Sequence, residues 1–189
     1  MVTVRRATLD DCDQLGLVHV RAWQAAYRGC MPEGYLDGLR AENRSDLWRQ
    51  TLTGPIKGHG LLVAERDERV VGFAAIGSST EPGIGELHAL NVDPDHWGGG
   101  VGRTLLTCAE QDFADSSYRE AVLWVLPRNG RARGLYEQAG WRHDGAERTA
   151  EVLGVTVPEV RYRRELTDTA RADHRVDQPA RGSSRTSLE

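Results

Sequence analysis

Apolar positions along the chain change period several times, and each change marks an element. Thr3 to Ala7 reads as a first strand, and Asp10, Asp11 and Asp13 then stand where acidic side chains favour a helix start. Leu15, Val18, Ala22 and Ala26 form one helical stripe. Trp23 and Tyr27, with Val20, project to one side of it, either as extra core or as the lining of a substrate pocket. Pro32 to Leu39 and Ala41 to Thr53 predict two short helices, the first with proline near its first turn. From Leu61 the period shortens. Leu61 to Glu65 and Val70 to Ile76 are rich in β-formers and flank the polar turn Arg66-Asp67-Glu68-Arg69, which predicts an antiparallel hairpin. Ser78 to Ile84, carrying Pro82 and Gly83, is a loop.

Gly85 to Val92 predicts a strand through Leu87, Ala89, Leu90 and Val92. Val101, Leu105, Leu106, Cys108, Ala109 and Phe113 then recur at helical spacing, and Ala121 to Leu126 reads as a strand again. Strand, helix and strand with a crossover of this length imply a parallel pair with a right-handed connection. The linking stretch Asp95-His96-Trp97-Gly98-Gly99-Gly100-Val101-Gly102-Arg103-Thr104 lies at the carboxyl edge of its strand, where ligands of α/β sheets collect. Its glycines let backbone approach a ligand, and the free N–H groups of the helix start would face phosphate oxygens. A Walker loop is excluded, because Trp97 holds the first glycine position and Arg103 the lysine position. A G-x-G-x-x-G fingerprint fails in every register. What remains is x-x-x-G-x-G, with Gly100 and Gly102 as the fixed pair; a flexible turn is the plain alternative.

After the turn Pro127-Arg128-Asn129-Gly130 comes a helix containing Ala132, Leu135, Tyr136 and Ala139, closed by Gly140. Trp141 to Val152 and Val155 to Leu166 form a last strand pair, and Thr167 to Glu189 is a polar tail expected to be disordered, with Leu188-Glu189 as a cloning remnant.

Length and composition narrow the classes. The 189 residues suit one domain, and 39% hydrophobic with 28% charged residues suits a globular chain. No run approaches the ~18 to 20 apolar residues of a membrane span, and no signal-peptide core follows Met1, so a cytoplasmic address without membrane contact is expected. Cys12, Cys30 and Cys108 are isolated and the six histidines scattered, so no metal is expected. A formal charge of −4 argues against a nucleic-acid partner. Within this acidic chain Arg103, Arg128, Arg131 and Arg133 fall close to the two glycine or asparagine loops, which suits a phosphate-rich ligand or a solvated surface.

The segment Asn129-Gly130-Arg131-Ala132-Arg133-Gly134-Leu135-Tyr136-Glu137-Gln138-Ala139-Gly140-Trp141 and the glycine loop, in this order, resemble the two cofactor-binding segments of the GNAT superfamily of N-acyltransferases. Val4-Arg5-Arg6-Ala7, Ala22-Trp23 and Ala25-Ala26-Tyr27 resemble the start of many bacterial members, so the likeness spans roughly Thr3 to Leu166. Trp97 departs from the pattern, which usually carries Gln or Arg there. The resemblance implies an α/β (α+β) fold: a central mixed, mostly antiparallel sheet with one splayed parallel strand pair, flanked by helices. It implies acetyl-CoA as co-substrate, held by Leu90, Val92, Trp97, Gly98, Gly99, Gly100, Val101, Gly102, Arg103, Asn129, Arg131 and Arg133. The expected acceptor is a small-molecule or protein amine; a homodimer stays open.

Acyl transfer to an amine needs a neutral amine, a polarised thioester carbonyl and a stabilised thiolate. An alkyl amine with a pKa of ~10.4 must first lose a proton, for which Glu86 through a water relay is the first choice and His88 the second; a solvated strand-end charge and a satisfied polar side chain are their bland readings. Tyr136 fits as hydrogen-bond donor to the thiolate, or as a core aromatic of its helical stripe. Trp23, Tyr27 and His88, with the short helices and the loop near Pro82, are expected around the acceptor. The alternative class is a catalytically silent CoA-binding module acting as sensor or interaction subunit.

Overall fold

Seven β-forming runs pair into one sheet: β1 (Thr3–Arg6), β2 (Gly60–Arg66), β3 (Arg69–Ser78), β4 (Ile84–Val92), β5 (Glu120–Val125), β6 (Arg142–Val152) and β7 (Val155–Glu165). The computed structural model describes residues 1–54, 60–152 and 154–166, so the polar tail expected from Thr167 onward lies outside the described residues. The strand order is β1-β2-β3-β4-β5-β7-β6. Neighbours are antiparallel except β4 and β5, which run parallel from Ile84↔Glu120 to Leu87↔Leu123. The hairpin of β2 and β3 closes through Asp67 and Glu68, both at positive φ (50° and 62°), the two-residue turn whose twist suits adjacent strands.

Helices cover both faces. α1 (Cys12–Ala26), α2 (Glu33–Gly38) and α3 (Ala41–Thr53) lie in chain order before β2; α4 (Val101–Asp115) and α5 (Gly130–Gln138) flank β5. Period-2 alternation with both faces buried explains the continuous apolar run of β2: Leu61 and Val63 pack with Leu15, Val18, Trp48 and Phe73 on the α1 side. Leu62 and Ala64 pack with Leu105, Leu106, Ala109 and Phe113 on the α4 side. Each leucine-sized side chain so buried contributes about 1.5–3 kcal/mol. α1 and α3 touch at Gly16, where a Cβ would fall 2.3 Å from Ser45 Oγ and 2.4 Å from the Ala41 carbonyl.

One irregularity in β4 shapes everything downstream. Ala75 pairs with Ala89 but Ile76 pairs with Leu87, leaving His88 as the extra residue of a β-bulge. Side chains shift phase there. Leu87 faces the α4-side core and Ala89 the α1 side, yet Leu90 and Val92 pack again on the α4 side. Beyond Leu87 the strand has no further pairing with β5, so the parallel pair opens into a wedge.

Candidate active site

The wedge is lined by a strand edge with free hydrogen-bonding groups. Asp93 N–H points to β3, donating to the Val71 carbonyl at 2.9 Å. By strand alternation the N–H and C=O of Val92 and Leu90 then face the opposite edge, into the gap. There Trp97 Nε1 donates to the Val92 carbonyl at 2.8 Å.

The chain reaches Trp97 through a one-turn 3-10 helix, Pro94–His96, capped by the Asp93 carboxylate, which accepts from Asp95 N–H at 3.0 Å. The same carboxylate takes a two-pronged contact from Arg21 of α1 (Nε 2.7 Å, Nη2 3.1 Å), and Arg21 also reaches Asp95 at 2.7 Å. This brace fixes α1 against the start of the glycine loop. No sequence signal announced it, since 72 residues separate Arg21 from Asp93.

The loop itself is a cradle of donors. Gly98 and Gly100 have φ of 74° and 83°, a region costly for side chains bearing Cβ, and Gly100 serves as N-cap of α4. The first helical bond is Thr104 N–H to Gly100 O at 3.0 Å. The N–H groups from Gly98 to Arg103 have no hydrogen-bond partner among the described residues, and the helix dipole adds positive potential at that point. Gly102 has a different reason: a Cβ there would press on Leu135 of α5 at 3.3 Å. Val101 is a core residue, 1% exposed, that anchors the helix start.

These parts converge on a cleft of about 540 Å³, a size that suits a small-molecule ligand. Leu90, Val92, Trp97, Gly98, Gly100, Val101, Gly102, Arg103, Asn129, Arg131, Tyr27 and Tyr136 line it; Gly99, Trp23, Glu86, His88 and Arg133 do not. Asn129 caps α5, accepting from Ala132 N–H at 3.1 Å, and its side chain lies close enough to the Tyr27 hydroxyl to act on it. Desolvation pushes the Tyr27 phenol up to about 12. Tyr136 is buried at the floor, where desolvation and then Tyr27 push its phenol well above the ordinary value, so it remains a neutral O–H donor.

Two expectations need correction and one is refined. Arg133 is committed elsewhere, donating from Nε to Tyr162 Oη at 2.9 Å and from Nη1 to the Pro127 carbonyl at 3.0 Å. Residues two apart on a helix project about 200° apart, so Arg131 and Arg133 cannot serve one site; Arg131 is the one at the cleft, its guanidinium 4.3 Å above the Trp97 ring. Trp23 packs in the core with Met31, Leu36 and Val157, and only its T-shaped partner Tyr27, 4.9 Å away, reaches the cleft. Glu86 and His88 meet as a pair on one strand face, His88 Nδ1 3.3 Å from Glu86 Oε1, outside the lining of the cleft.

Known proteins share this fold. Residues 20–141 match the model of the acetyltransferase (GNAT) family. The uncharacterized N-acetyltransferase YuaI of Bacillus subtilis is 32% identical over 165 residues, covering 85% of this chain and 91% of YuaI. Among solved structures, PaiA N-acetyltransferase of Thermoplasma acidophilum in complex with coenzyme A superposes with a TM-score of 0.66 at 19% identity, over 87% of this chain and 99% of PaiA. YncA of Salmonella typhimurium, solved with acetyl-CoA, gives 0.64 at 20% identity, over 97% and 99%. With the splayed parallel pair, the glycine loop and a family match over most of its length, the chain belongs to the GNAT family of acetyltransferases.

Proposed function

We propose that the protein moves an acetyl group from acetyl-CoA to a primary amine by direct attack within a ternary complex. The observation that carries this is the convergence, in one cleft, of the unpartnered N–H groups of Gly98 to Arg103, the open edge at Leu90 and Val92, and the Tyr136 hydroxyl. A diphosphate matches the first, since backbone donors at a helix start bind phosphate oxygens whatever the side chains. Arg103 and Arg131 add charge at the rim. An extended amide-bearing arm matches the second, because a strand edge pairs with such groups as it would with another strand.

The division of labour among the residues follows from what each can do. The Val92 N–H, aimed into the wedge, polarises the thioester oxygen, and negative charge develops on that oxygen as the amine attacks. Tyr136, kept neutral by burial, donates to the sulfur as the C–S bond breaks; a hydrogen bond suffices, because a thiolate of pKa ~8.5 leaves without full protonation. Glu86, its carboxylate beside His88, drains the amine proton through water. The fit of Glu86 is looser than that of Tyr136, since it lies outside the cleft lining.

The test is acetyl-CoA-dependent release of free thiol across a panel of amines, with Glu86→Gln alongside the parent. Release that depends on amine is the expected result. The Glu86→Gln deficit is expected to be about 10- to 100-fold near neutral pH and to shrink as pH nears ~10, where free amine is abundant. CoA binding without release on any amine would instead mark a silent binding module, and a pH-independent deficit would remove Glu86 from proton transfer.

A further inference from the structure

The cleft runs through the sheet. Gly100, Gly102 and Leu135 line it on the side of α4 and α5, whereas Ala22, Ala26 and Tyr27 line it from α1 and its C-cap on the other side. Between them stand Leu90 and Val92, on the stretch of β4 that no longer pairs with β5. The last turns of α1 are therefore the far wall of the gap. Their distance from Val92 sets the space in which an amine meets a thioester held on that strand edge.

Apolar packing presses α1 onto the sheet: Leu15 and Val18 pack with Val63 and Phe73, and Val20 and Trp23 with Leu36 and Val157. Such contact is non-directional, whereas a two-pronged guanidinium–carboxylate contact fixes both distance and angle. Two polar fastenings join α1 to this end of β3 and β4. Gln14 accepts from the Val70 N–H of β3 at 2.9 Å. Arg21, about two turns further along the helix, grips Asp93 through Nε at 2.7 Å and Nη2 at 3.1 Å, and reaches Asp95 through Nη2 at 2.7 Å. Gln14 alone would give α1 a pivot; Arg21 adds the second point that fixes its direction. Asp93, the residue after Val92, is a rigid post. Its N–H donates to the Val71 carbonyl at 2.9 Å, its carbonyl accepts from His96 N–H at 2.9 Å, and Oδ1 accepts from Asp95 N–H at 3.0 Å, so with Arg21 on both carboxylate oxygens all of its polar groups are engaged.

The ion pair adds little to stability, because the Arg21 side chain is 40% exposed and pairs so open to water contribute little to folding. What it supplies is geometry. Bond formation needs the reacting atoms within ~3–3.5 Å, and a displacement of about 1 Å costs about 100-fold in rate. We propose that Arg21 is a positioning residue for acyl transfer, holding Ala22, Ala26 and Tyr27 at a set distance from Val92 so that an amine admitted along α1 faces the thioester carbon. Arg21 is not among the residues that line the cleft, so it acts through α1 and not by contact with either substrate. The role rests on the acetyl transfer proposed above.

The experiment uses the full chain with acetyl-CoA and the amine that the parent uses best. Arg21→Gln is expected to lower kcat by about 10- to 100-fold. CoA-induced thermal stabilisation is expected to persist in that variant, because the Asp93 cap on the turn before the glycine loop does not involve Arg21. Arg21→Lys, which keeps the charge without the planar fork, is expected to share the kcat deficit. In the double variant Arg21→Gln with Asp93→Asn the two losses are expected not to add, since both break one contact. Parent-like kcat in Arg21→Gln, full recovery in Arg21→Lys, or additive losses would each overturn the proposal. Loss of CoA stabilisation in Arg21→Gln would overturn it as well, by making Arg21 a support of the loop. A parent that releases thiol with no amine brings down the acetyl-transfer reading and this role together; a parent that turns over while Arg21→Gln keeps its kcat brings down this role alone.

Discussion

The glycine loop and the α1–α3 layer both leave polar atoms unpaired, but the atoms are of different kinds. At the loop they are backbone N–H groups, fixed by the start of α4 and by the burial of Val101 and Leu105 beneath it. In the helical layer they are side chains, His19, Tyr35, Arg44 and Trp48, brought together from three helices. A backbone cradle accepts any diphosphate and is almost blind to side-chain identity, so it suits a co-substrate common to many enzymes. The helical-layer atoms sit inside packed aromatic surroundings, so they bear on stability rather than on ligand binding.

The contrast can be broken most strongly at Gly100. Its φ of 83° disfavours any residue with a branched side chain, and Gly100→Val is expected to weaken CoA binding by about 10³-fold, read as loss of CoA-induced thermal stabilisation. Retained CoA stabilisation would make the loop a mere turn. Tyr136→Phe comes next: kcat is expected to fall by about 10- to 10³-fold, roughly 1.4–4 kcal/mol, with little change in acetyl-CoA affinity. Unchanged kcat, measured where thiol release limits the rate, would return Tyr136 to the apolar stripe it shares with Trp141 and Tyr162.

The smallest effect sharpens the other region. Burial first, and Arg44 second, pull His19 down to about 3 from an ordinary value of 6.5. Below pH ~6.5 the unfolded chain takes up a proton that native His19 refuses until about pH 3, so stability falls as pH drops through that window. At pH 5 the loss is about 2 kcal/mol. Urea unfolding at pH 7 and pH 5 is expected to show this extra loss in the parent and in Gly100→Val, but not in His19→Phe. Equal slopes in parent and His19→Phe would mean that His19 protonates in the native state.

Legibility followed the range of the interactions. The element order, the hairpin at Arg66–Arg69, the parallel pair and the gathering of unpaired backbone N–H groups at the glycine loop were all readable, because periodicity and glycine placement act within a few residues. The bulge at His88 was hidden, although the run Leu87, Ala89, Leu90 already breaks strict alternation. Arg133 was misplaced because nearness in sequence to the loop says nothing about which side of α5 a residue takes. Trp23 and Tyr27 looked equivalent at four-residue spacing; only packing separated the core ring from the one that reaches the cleft.

By itself the sequence determined where strands and helices run and that backbone donors gather at Gly98 to Arg103, since those depend on local φ preferences, apolar period and helix-end chemistry. The tertiary structure alone decided that Arg21 braces Asp93, that Tyr27 and Tyr136 line one cleft with Asn129, and that His19 is enclosed by Trp23, Trp48 and Phe73. Such meetings join residues from separate elements, and their geometry is set by how helices pack over a bulged, twisted sheet, which no local pattern encodes.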